Sequence, residues 1–176
     1  FSGSDGLTQA LTLDKWMTKK VLLSDGIPTP RFFEVVRPDD PLPQDLAFPL
    51  IVKPLQEGSS KGISGASVVH TPAALQRRVA HVLETYHQPA LAETFLPGRE
   101  FTAALVGNSP EITVLPLVEI CFTALPSGAV PRYSYAAKWL WDTPQHPRDI
   151  LRCPADLPAD VTCAIADLCR RAFFLR

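Results

Sequence analysis

The apolar positions change their period several times along the chain, which predicts helices and short strands in a mixed order. Apolar residues recur at helical spacing over residues 7–25, and Gly26 and Pro28 then end the pattern. A second helix is predicted to begin at Thr71, because threonine is a good N-cap and Pro72 fits the first helical position. A third helix is predicted from Pro158 toward Phe174.

Short runs of β-branched, aromatic and aliphatic residues predict strands between these helices. The predicted strands are Phe32–Val36, Leu50–Lys53, Ser67–Val69, Ala90–Glu93, Glu100–Val106, Ile112–Leu115 and Leu117–Ile120. Residues 121–150 are predicted to form a long irregular connection, which is uncommon unless such a segment is functional or mobile. Because several strands follow one another directly, the order favours an α+β fold with an antiparallel sheet and packed helices.

Composition and charge exclude some classes of function. The chain has 176 residues, 46% of them hydrophobic, and a formal net charge of -1, which gives no electrostatic basis for nucleic-acid binding. No apolar run reaches the roughly 18 residues that a membrane helix needs. The four cysteines form no CxxC pair, so we expect buried free thiols in the reducing cytoplasm. These features predict a cytoplasmic protein without nucleic-acid or membrane partners.

One lysine stands at the end of a predicted strand, directly before a loop rich in glycine and serine. The strand ends in IVKP at residues 51–54, and EGSSKG follows at 57–62. Loop amides and hydroxyls can bind phosphate oxygens, glycine permits close approach, and Lys53 supplies the opposite charge. The motif is not a Walker A loop, because the lysine precedes the loop. A solvated surface loop is the alternative, and composition favours neither interpretation.

Two further segments carry candidate ligand-binding residues. In LAETFLPGREF, at 91–101, an apolar strand runs into Glu93 and a turn leads to Glu100. Backbone groups near Leu96 could form hydrogen bonds with the edge of an adenine ring, and a carboxylate could accept hydrogen bonds from ribose hydroxyls. In YSYAAKW, Lys138 lies among aromatic residues in a segment that could close over phosphates. Taken alone, such acids are usually solvated, and the lysine is better explained by packing on aromatic rings.

Taken together, these segments resemble the successive blocks of the D-alanine–D-alanine ligases, a family of the ATP-grasp superfamily. The resembling blocks are DKWMTKKVLLSDGIPTP, FPLIVKPLQEGSSKGIS, LAETFLPGREFTAALVGN, LPLVEI, YSYAAKW and CPADLPAD. Their joint pattern is specific and covers almost the whole chain. The resemblance implies an ATP-grasp fragment: a linking helix and strand at 1–40, a small subdomain with the glycine-rich loop at 41–98, and a partial C-terminal subdomain with a mobile lid at 99–176.

The resemblance also implies roles for individual residues. The implied nucleotide contacts are Lys15 and Lys53 at the phosphates, Glu57, Ser59 and Ser60 in the loop over the nucleotide, Glu93, Thr94, Phe95 and Leu96 at the adenine, Glu100 at the ribose, and Lys138 in the mobile loop. The implied catalytic residues are Ser59, which would also lie near the substrates, and Lys138.

The activity implied by the resemblance is ATP-dependent ligation of D-alanine to D-alanine for peptidoglycan precursor synthesis. ATP would phosphorylate the first carboxylate, and the second amine would attack the acyl phosphate, while lysines and Mg²⁺ neutralise charge. The expected partners are small molecules, namely ATP and D-amino acids. The oligomeric state is left open, and a homodimer is one possibility. We expect the Mg²⁺ ligands and the domain that binds the first amino acid to lie outside this chain, so that residues 1–176 alone are inactive.

Two alternatives stay open beside this activity. One is an ATP-grasp ligase with a different second substrate, and the other is a nucleotide-binding module without catalysis. The first is considered because Trp139 stands where the family commonly has tyrosine, and because the lid sequence DTPQHPRD at 142–149 is atypical of the family.

Overall fold

The computed structural model describes residues 3–108, 110–125, 133–141, 148 and 150–175. The chain divides into two compact units. Unit 1 consists of Phe1–Val21 and Pro28–Pro97, and unit 2 consists of Leu22–Ile27 and Gly98–Arg176. The assignment of a linking helix and strand to 1–40, and of ATP-grasp subdomains to 41–98 and 99–176, stays a prediction.

Helices and strands alternate irregularly along the chain, as the changes of period predict. In chain order they are α1 (Gly6–Leu13), α2 (Lys15–Ser24), β1 (Phe32–Val35), β2 (Leu50–Pro54), β3 (Val68–Val69), α3 (Pro72–Tyr86), β4 (Ala90–Thr94), β5 (Glu100–Thr102), β6 (Leu105–Asn108), β7 (Glu111–Val114), β8 (Val118–Ile120), β9 (Leu151–Arg152) and α4 (Ala159–Phe173). Every strand pair in the described part of the chain is antiparallel. The α+β class with an antiparallel sheet is therefore confirmed.

Three local expectations need correction. The helix predicted over 7–25 is broken at Asp14, whose backbone is extended and whose carboxylate accepts a hydrogen bond from the Met17 N–H at 3.0 Å. An aspartate in this role ends α1 and caps α2. The strand predicted over 100–106 is two strands, since β5 pairs with β8 and β6 pairs with β7. The connection over 121–150 contains a 3-10 turn and a π-helical turn at Ala137–Trp141.

The core of unit 1 lies between α3 and one face of a four-stranded sheet of order β1-β4-β2-β3. Every second residue of a strand faces the same way, while α3 presents residues at helical spacing. Both periods therefore contribute to one apolar layer. Its buried members are Val35, Leu50, Val52, Val69, Leu75, Val79, Val82, Ala90 and Ala92.

The opposite face of this sheet carries the intervening residues, and three of them are charged: Glu34, Lys53 and Glu93. The register aligns Ile51 with Glu93 and Lys53 with Leu91. Side chains on one face of an antiparallel pair also meet diagonally, so Lys53 and Glu93 are neighbours. Helix α2 packs on this face, where the Trp16 ring meets the Phe32 ring edge-on at 5.5 Å between centroids. A charged pair is thereby enclosed between a helix and a sheet.

Unit 2 contains a three-stranded sheet of order β5-β8-β9 and a separate β6-β7 hairpin. The Arg99 guanidinium donates to both carboxylate oxygens of Glu119, at 2.7 and 2.8 Å, and to the Asp156 carbonyl oxygen at 2.7 Å. These hydrogen bonds hold the pKa of Glu119 below its usual value. A bidentate pair of this kind fixes the orientation of both side chains.

The cysteines and the helices can be compared with the expectations drawn from composition. The four cysteines are free thiols, but the expectation that they are buried is wrong. Cys153 and Cys163 are exposed, and Cys121 and Cys169 are partly exposed. The burial expectation fails for Cys163 and Cys169 because no residue of α4 is buried in the structure. Within the described ranges, no helix is long and apolar enough to cross a membrane.

Candidate functional site

A buried carboxylate with two ammonium groups lies at the centre of the charged face of unit 1. Glu93 is 7% exposed. Its Oε1 accepts a hydrogen bond from Lys53 Nζ, and its Oε2 lies 2.6 Å from Lys19 Nζ. Burial raises the pKa of Glu93, but Lys53 and Lys19 outweigh it, so the pKa lies below its usual value. The site therefore holds a charged glutamate between β2, β4 and α2.

Lys19 is a site residue that the sequence interpretation missed. It is 8% exposed, donates a hydrogen bond to Thr29 Oγ1, and lies 5.0 Å from the centroid of the Phe32 ring. A signal for it exists in the sequence, because Lys19 follows Lys15 by four residues on one helix. Side chains at that spacing share a face, so a role for Lys15 draws attention to Lys19.

Lys15 begins α2 and reaches the chain that enters the glycine-rich loop. Its ammonium donates to the carbonyl oxygens of Leu55, at 3.1 Å, and of Glu57. Burial, followed by repulsion from Lys53, lowers the pKa of Lys15 from 10.5 to about 8. An anion bound beside this ammonium would favour its charged form.

The glycine-rich loop has a defined entry and an unusual backbone at its centre. The Gln88 side chain accepts from the Gln56 N–H at 2.6 Å and donates to Glu57 Oε1 at 3.3 Å. Ser59 and Ser60 have φ of 51° and 60°, which is left-handed backbone. Such a conformation costs about 1–3 kcal/mol for a residue other than glycine, and it is concentrated at functional sites.

The end of the loop is held by a buried arginine of α3. Arg78 Nη2 donates to the Gly62 carbonyl oxygen and, at 3.0 Å, to Ser67 Oγ. Gly62 itself has a φ of 78°, and a Cβ placed there would lie 2.5 Å from Pro54 Cγ. Only glycine therefore fits where the loop passes the end of β2.

The backbone N–H groups at the end of β4 and directly after it differ in whether they already donate a hydrogen bond within the protein. The Thr94 N–H donates to the Arg31 carbonyl oxygen at 2.9 Å, and the Phe95 N–H donates to the Pro49 carbonyl oxygen at 3.0 Å. In the part of the chain that the structure describes, the Leu96 N–H has no partner, and Leu96 is 65% exposed. Leu96 thus offers a backbone donor and an apolar surface at the same point.

The two candidate residues of unit 2 both contact Tyr133. The Tyr133 N–H donates to Glu100 Oε2 at 3.4 Å, and Lys138 Nζ lies 5.1 Å from the centroid of the Tyr133 ring. Lys138 thus makes the aromatic contact that the alternative interpretation expects. Trp139 is 55% exposed in the same π-helical turn. Most of the predicted lid, at 142–147 and 149, lies outside the described residues.

The candidate residues therefore fall into two sets, each described within its own unit. In unit 1, Lys15 contacts the Glu57 backbone and Lys53 contacts Glu93, and the charges of Lys15, Lys53 and Glu93 also interact. Ser59 and Ser60 lie in the following loop, Thr94 ends β4, and Phe95 and Leu96 follow it. In unit 2, Glu100 and Lys138 are connected through Tyr133. Their predicted roles toward a ligand stay predictions. The described residues contain no group of three or more His, Cys, Asp or Glu side chains that could hold a metal ion.

Comparison with known proteins gives matches across nearly the whole chain. The family model described as "D-ala D-ala ligase C-terminus" matches residues 21–175. A D-alanine–D-alanine ligase from Bordetella pertussis is 38% identical over 176 residues, which is 98% of this chain and 51% of that protein. The chain thus spans about half the length of the curated relatives it matches.

Solved structures show the same fold. A D-alanine–D-alanine ligase from Bacillus anthracis, complexed with ATP, matches with a TM-score of 0.65 and 22% identity over 97% of this chain and 48% of that chain. The VanG D-Ala:D-Ser ligase from Enterococcus faecalis matches with a TM-score of 0.69 and 23% identity over 96% of this chain and 46% of that chain. The prediction of an ATP-grasp fragment is therefore confirmed as a fold.

Proposed function

The chain belongs to the D-alanine–D-alanine ligase C-terminal family, and on this premise we propose that the protein carrying it joins two D-amino acids at the expense of ATP. The proposed product is the D-alanine–D-alanine dipeptide. The observation that carries the proposal is the arrangement of Lys15, Lys53 and Glu93 beside a loop with left-handed backbone at Ser59 and Ser60.

The nucleotide triphosphate is proposed to bind between the lysines and the loop. Lys53 and Lys15 would donate charge-assisted hydrogen bonds to phosphate oxygens. The lowered pKa of Lys15, about 8, supports this role, because an ammonium that is buried beside another cation gains most from an incoming anion. Ser59 and Ser60 would supply hydroxyls, and Glu57 would hold the entry of the loop, since its carboxylate pairs with Lys61 at 3.1 Å.

The adenosine is proposed to lie along the segment after β4. The Leu96 N–H would donate to a ring nitrogen of adenine, because the preceding N–H groups of Thr94 and Phe95 are already used. The Glu93 carboxylate would accept from the exocyclic amine, and the Glu100 carboxylate would accept from ribose hydroxyls. Glu100 is exposed and therefore accessible to a ligand.

The proposed reaction has two steps. An oxygen of the first D-alanine carboxylate attacks the γ-phosphorus of ATP, and ADP leaves with the electrons of the broken P–O bond. The amine of the second D-alanine then attacks the acyl carbon, the amide bond forms, and inorganic phosphate leaves as the nitrogen loses a proton. Lys138 and the lysines of unit 1 would stabilise the negative charge of the transferring phosphoryl group, and Ser59 would orient the substrates.

Mg²⁺ would supply further charge neutralisation when it is bound. It prefers oxygen ligands in octahedral geometry, which lysines do not provide. The described residues do not fit this ion, since they hold no suitable cluster of acidic side chains. We therefore assign no step of the reaction to it.

The wider role follows from the proposed product. The dipeptide would enter peptidoglycan precursor synthesis in the cytoplasm, with ATP and D-amino acids as the small-molecule partners. The protein is proposed to act without nucleic-acid or membrane partners, and a homodimer is compatible with this role.

The proposal is tested by phosphate release from the full-length protein supplied with ATP, Mg²⁺ and D-alanine. We expect release that depends on D-alanine, and Lys53→Ala should lower turnover or ATP affinity by about tenfold or more, the scale of one charge-assisted contact. Lys20→Ala is the matched control, because Lys20 is exposed and stacks on Trp16 at 3.8 Å. ATP binding without phosphate release would favour a noncatalytic module. Phosphate release that requires D-serine or D-lactate would favour an ATP-grasp ligase with a different second substrate.

A further inference from the structure

Lys19 carries an inference that goes beyond nucleotide contact. We propose that Lys19 is a positioning residue, which acts through Glu93 and keeps that carboxylate charged and oriented when Lys53 turns to the nucleotide phosphates. The inference rests on the proposed function, because it assumes that Lys53 moves to a phosphate of bound ATP.

The two lysines bound to Glu93 differ in their freedom. Lys19 is enclosed, since its ammonium contacts Thr29 Oγ1, lies 3.5 Å from the Pro30 carbonyl oxygen, and lies over the Phe32 ring. The Lys53 side chain is 18% exposed, against 10% for Lys19, and it stands near the end of β2, just before the loop. Lys53 can therefore leave Glu93 for a ligand, whereas Lys19 remains in contact with Glu93.

The charges around Glu93 explain why a fixed partner is needed. The charged groups that interact with it are Lys15 and Lys19 from α2 and Lys53 from β2, and Glu34 of β1 lies on the same face of the sheet. Glu57 is paired with Lys61 and also interacts with Lys15. If Lys53 moves to a phosphate, a buried carboxylate without a direct cation would take up a proton or draw Lys53 back. With Lys19 at 2.6 Å, Glu93 keeps a direct counter-charge and Lys53 is released.

A double-mutant cycle on ATP affinity tests whether Lys19 acts through Glu93. The four proteins are full-length native, Lys19→Met, Glu93→Gln and the double variant, each titrated with ATP by calorimetry. We expect Lys19→Met to weaken ATP binding by about tenfold in the native background and by less than about twofold in the Glu93→Gln background. Lys19→Arg, which keeps the charge, should retain most of the affinity. Equal losses in both backgrounds would overturn the inference.

A control and a second variant complete the test. Lys20→Met removes the same charge from the next, exposed position of α2, and should change ATP affinity by less than about twofold. If thermal unfolding shows that Lys19→Met does not fold, Thr29→Val removes the hydroxyl that anchors Lys19 and keeps the side-chain shape. We expect a smaller loss of ATP affinity, about threefold, that again disappears with Glu93→Gln; unchanged affinity would overturn the inference.

The failure of this inference is distinguishable from the failure of the proposed function. Native protein that binds no ATP would overturn both. Native protein that binds ATP and ligates D-amino acids, with no coupling between Lys19 and Glu93, would overturn only the role of Lys19.

Discussion

The lowered pKa of Lys15 gives a prediction about the pH dependence of ATP binding. Burial and the neighbouring Lys53 lower this pKa from 10.5 to about 8. In the free protein, the ammonium is therefore lost as the pH rises through about 8. Bound phosphates would raise the pKa again, because they favour the charged form. ATP binding then takes up a proton above pH 8, and its affinity must fall as the pH rises.

The magnitude follows from the fraction of protein with Lys15 charged. That fraction is about three quarters at pH 7.5 and about one tenth at pH 9, so ATP affinity should fall by about eightfold between these two values. Lys15→Arg should remove this dependence, because a guanidinium stays protonated over the whole range. Monoester phosphates ionise near pH 6, so ionisation of the ligand does not interfere in this window.

The assay is the dissociation constant for ATP in the full-length protein at several pH values from 7.5 to 9. Lys20→Arg is the control, since it makes the same replacement at an exposed position of α2. It should keep the pH dependence of the native protein. A flat profile in the native protein, or an unchanged slope in Lys15→Arg, would refute the assignment of Lys15 to the phosphates.

The same pKa shift predicts how stability depends on pH, and three substitutions test other parts of the structure. Between pH 8 and 10.5 the unfolded chain binds more protons at Lys15, so the free energy of unfolding should rise with pH there, as urea titrations can measure. Gly62→Ala should destabilise by about 3 kcal/mol through its positive φ and its clash with Pro54, whereas Gly58→Ala, with open space, should change stability by less than about 0.5 kcal/mol. Leu75→Ala should cost about 2–5 kcal/mol of unfolding free energy, because Leu75 is fully buried. Trp139→Tyr should change the ratio of kcat/KM for alternative second substrates, by a contact of about 1–3 kcal/mol; an identical ratio would show that Trp139 does not shape the acceptor pocket.

Local sequence signals determined much of the fold. The Thr71 hydroxyl accepts from the Ala74 N–H at 3.2 Å and Pro72 begins α3, as their positions in the sequence predict. The alternation of β2 places Leu50 and Val52 in the core. These outcomes depend on interactions between residues a few positions apart, which a sequence pattern records directly. The joint order of the blocks likewise identified the family.

The contacts between the charged residues depend on the packing of distant segments. Lys53 and Glu93 are 40 residues apart, and they become diagonal neighbours only through the register of β2 and β4. Lys19 completes the site because α2 packs on the same face; its spacing from Lys15 indicates a shared helix face but not which charge that face meets. Register and helix packing are set by burial across the whole sheet, since a slip of one residue would turn Lys53 into the core. The sequence shows which charged side chains are present, and the packing of distant segments determines which of them contact one another.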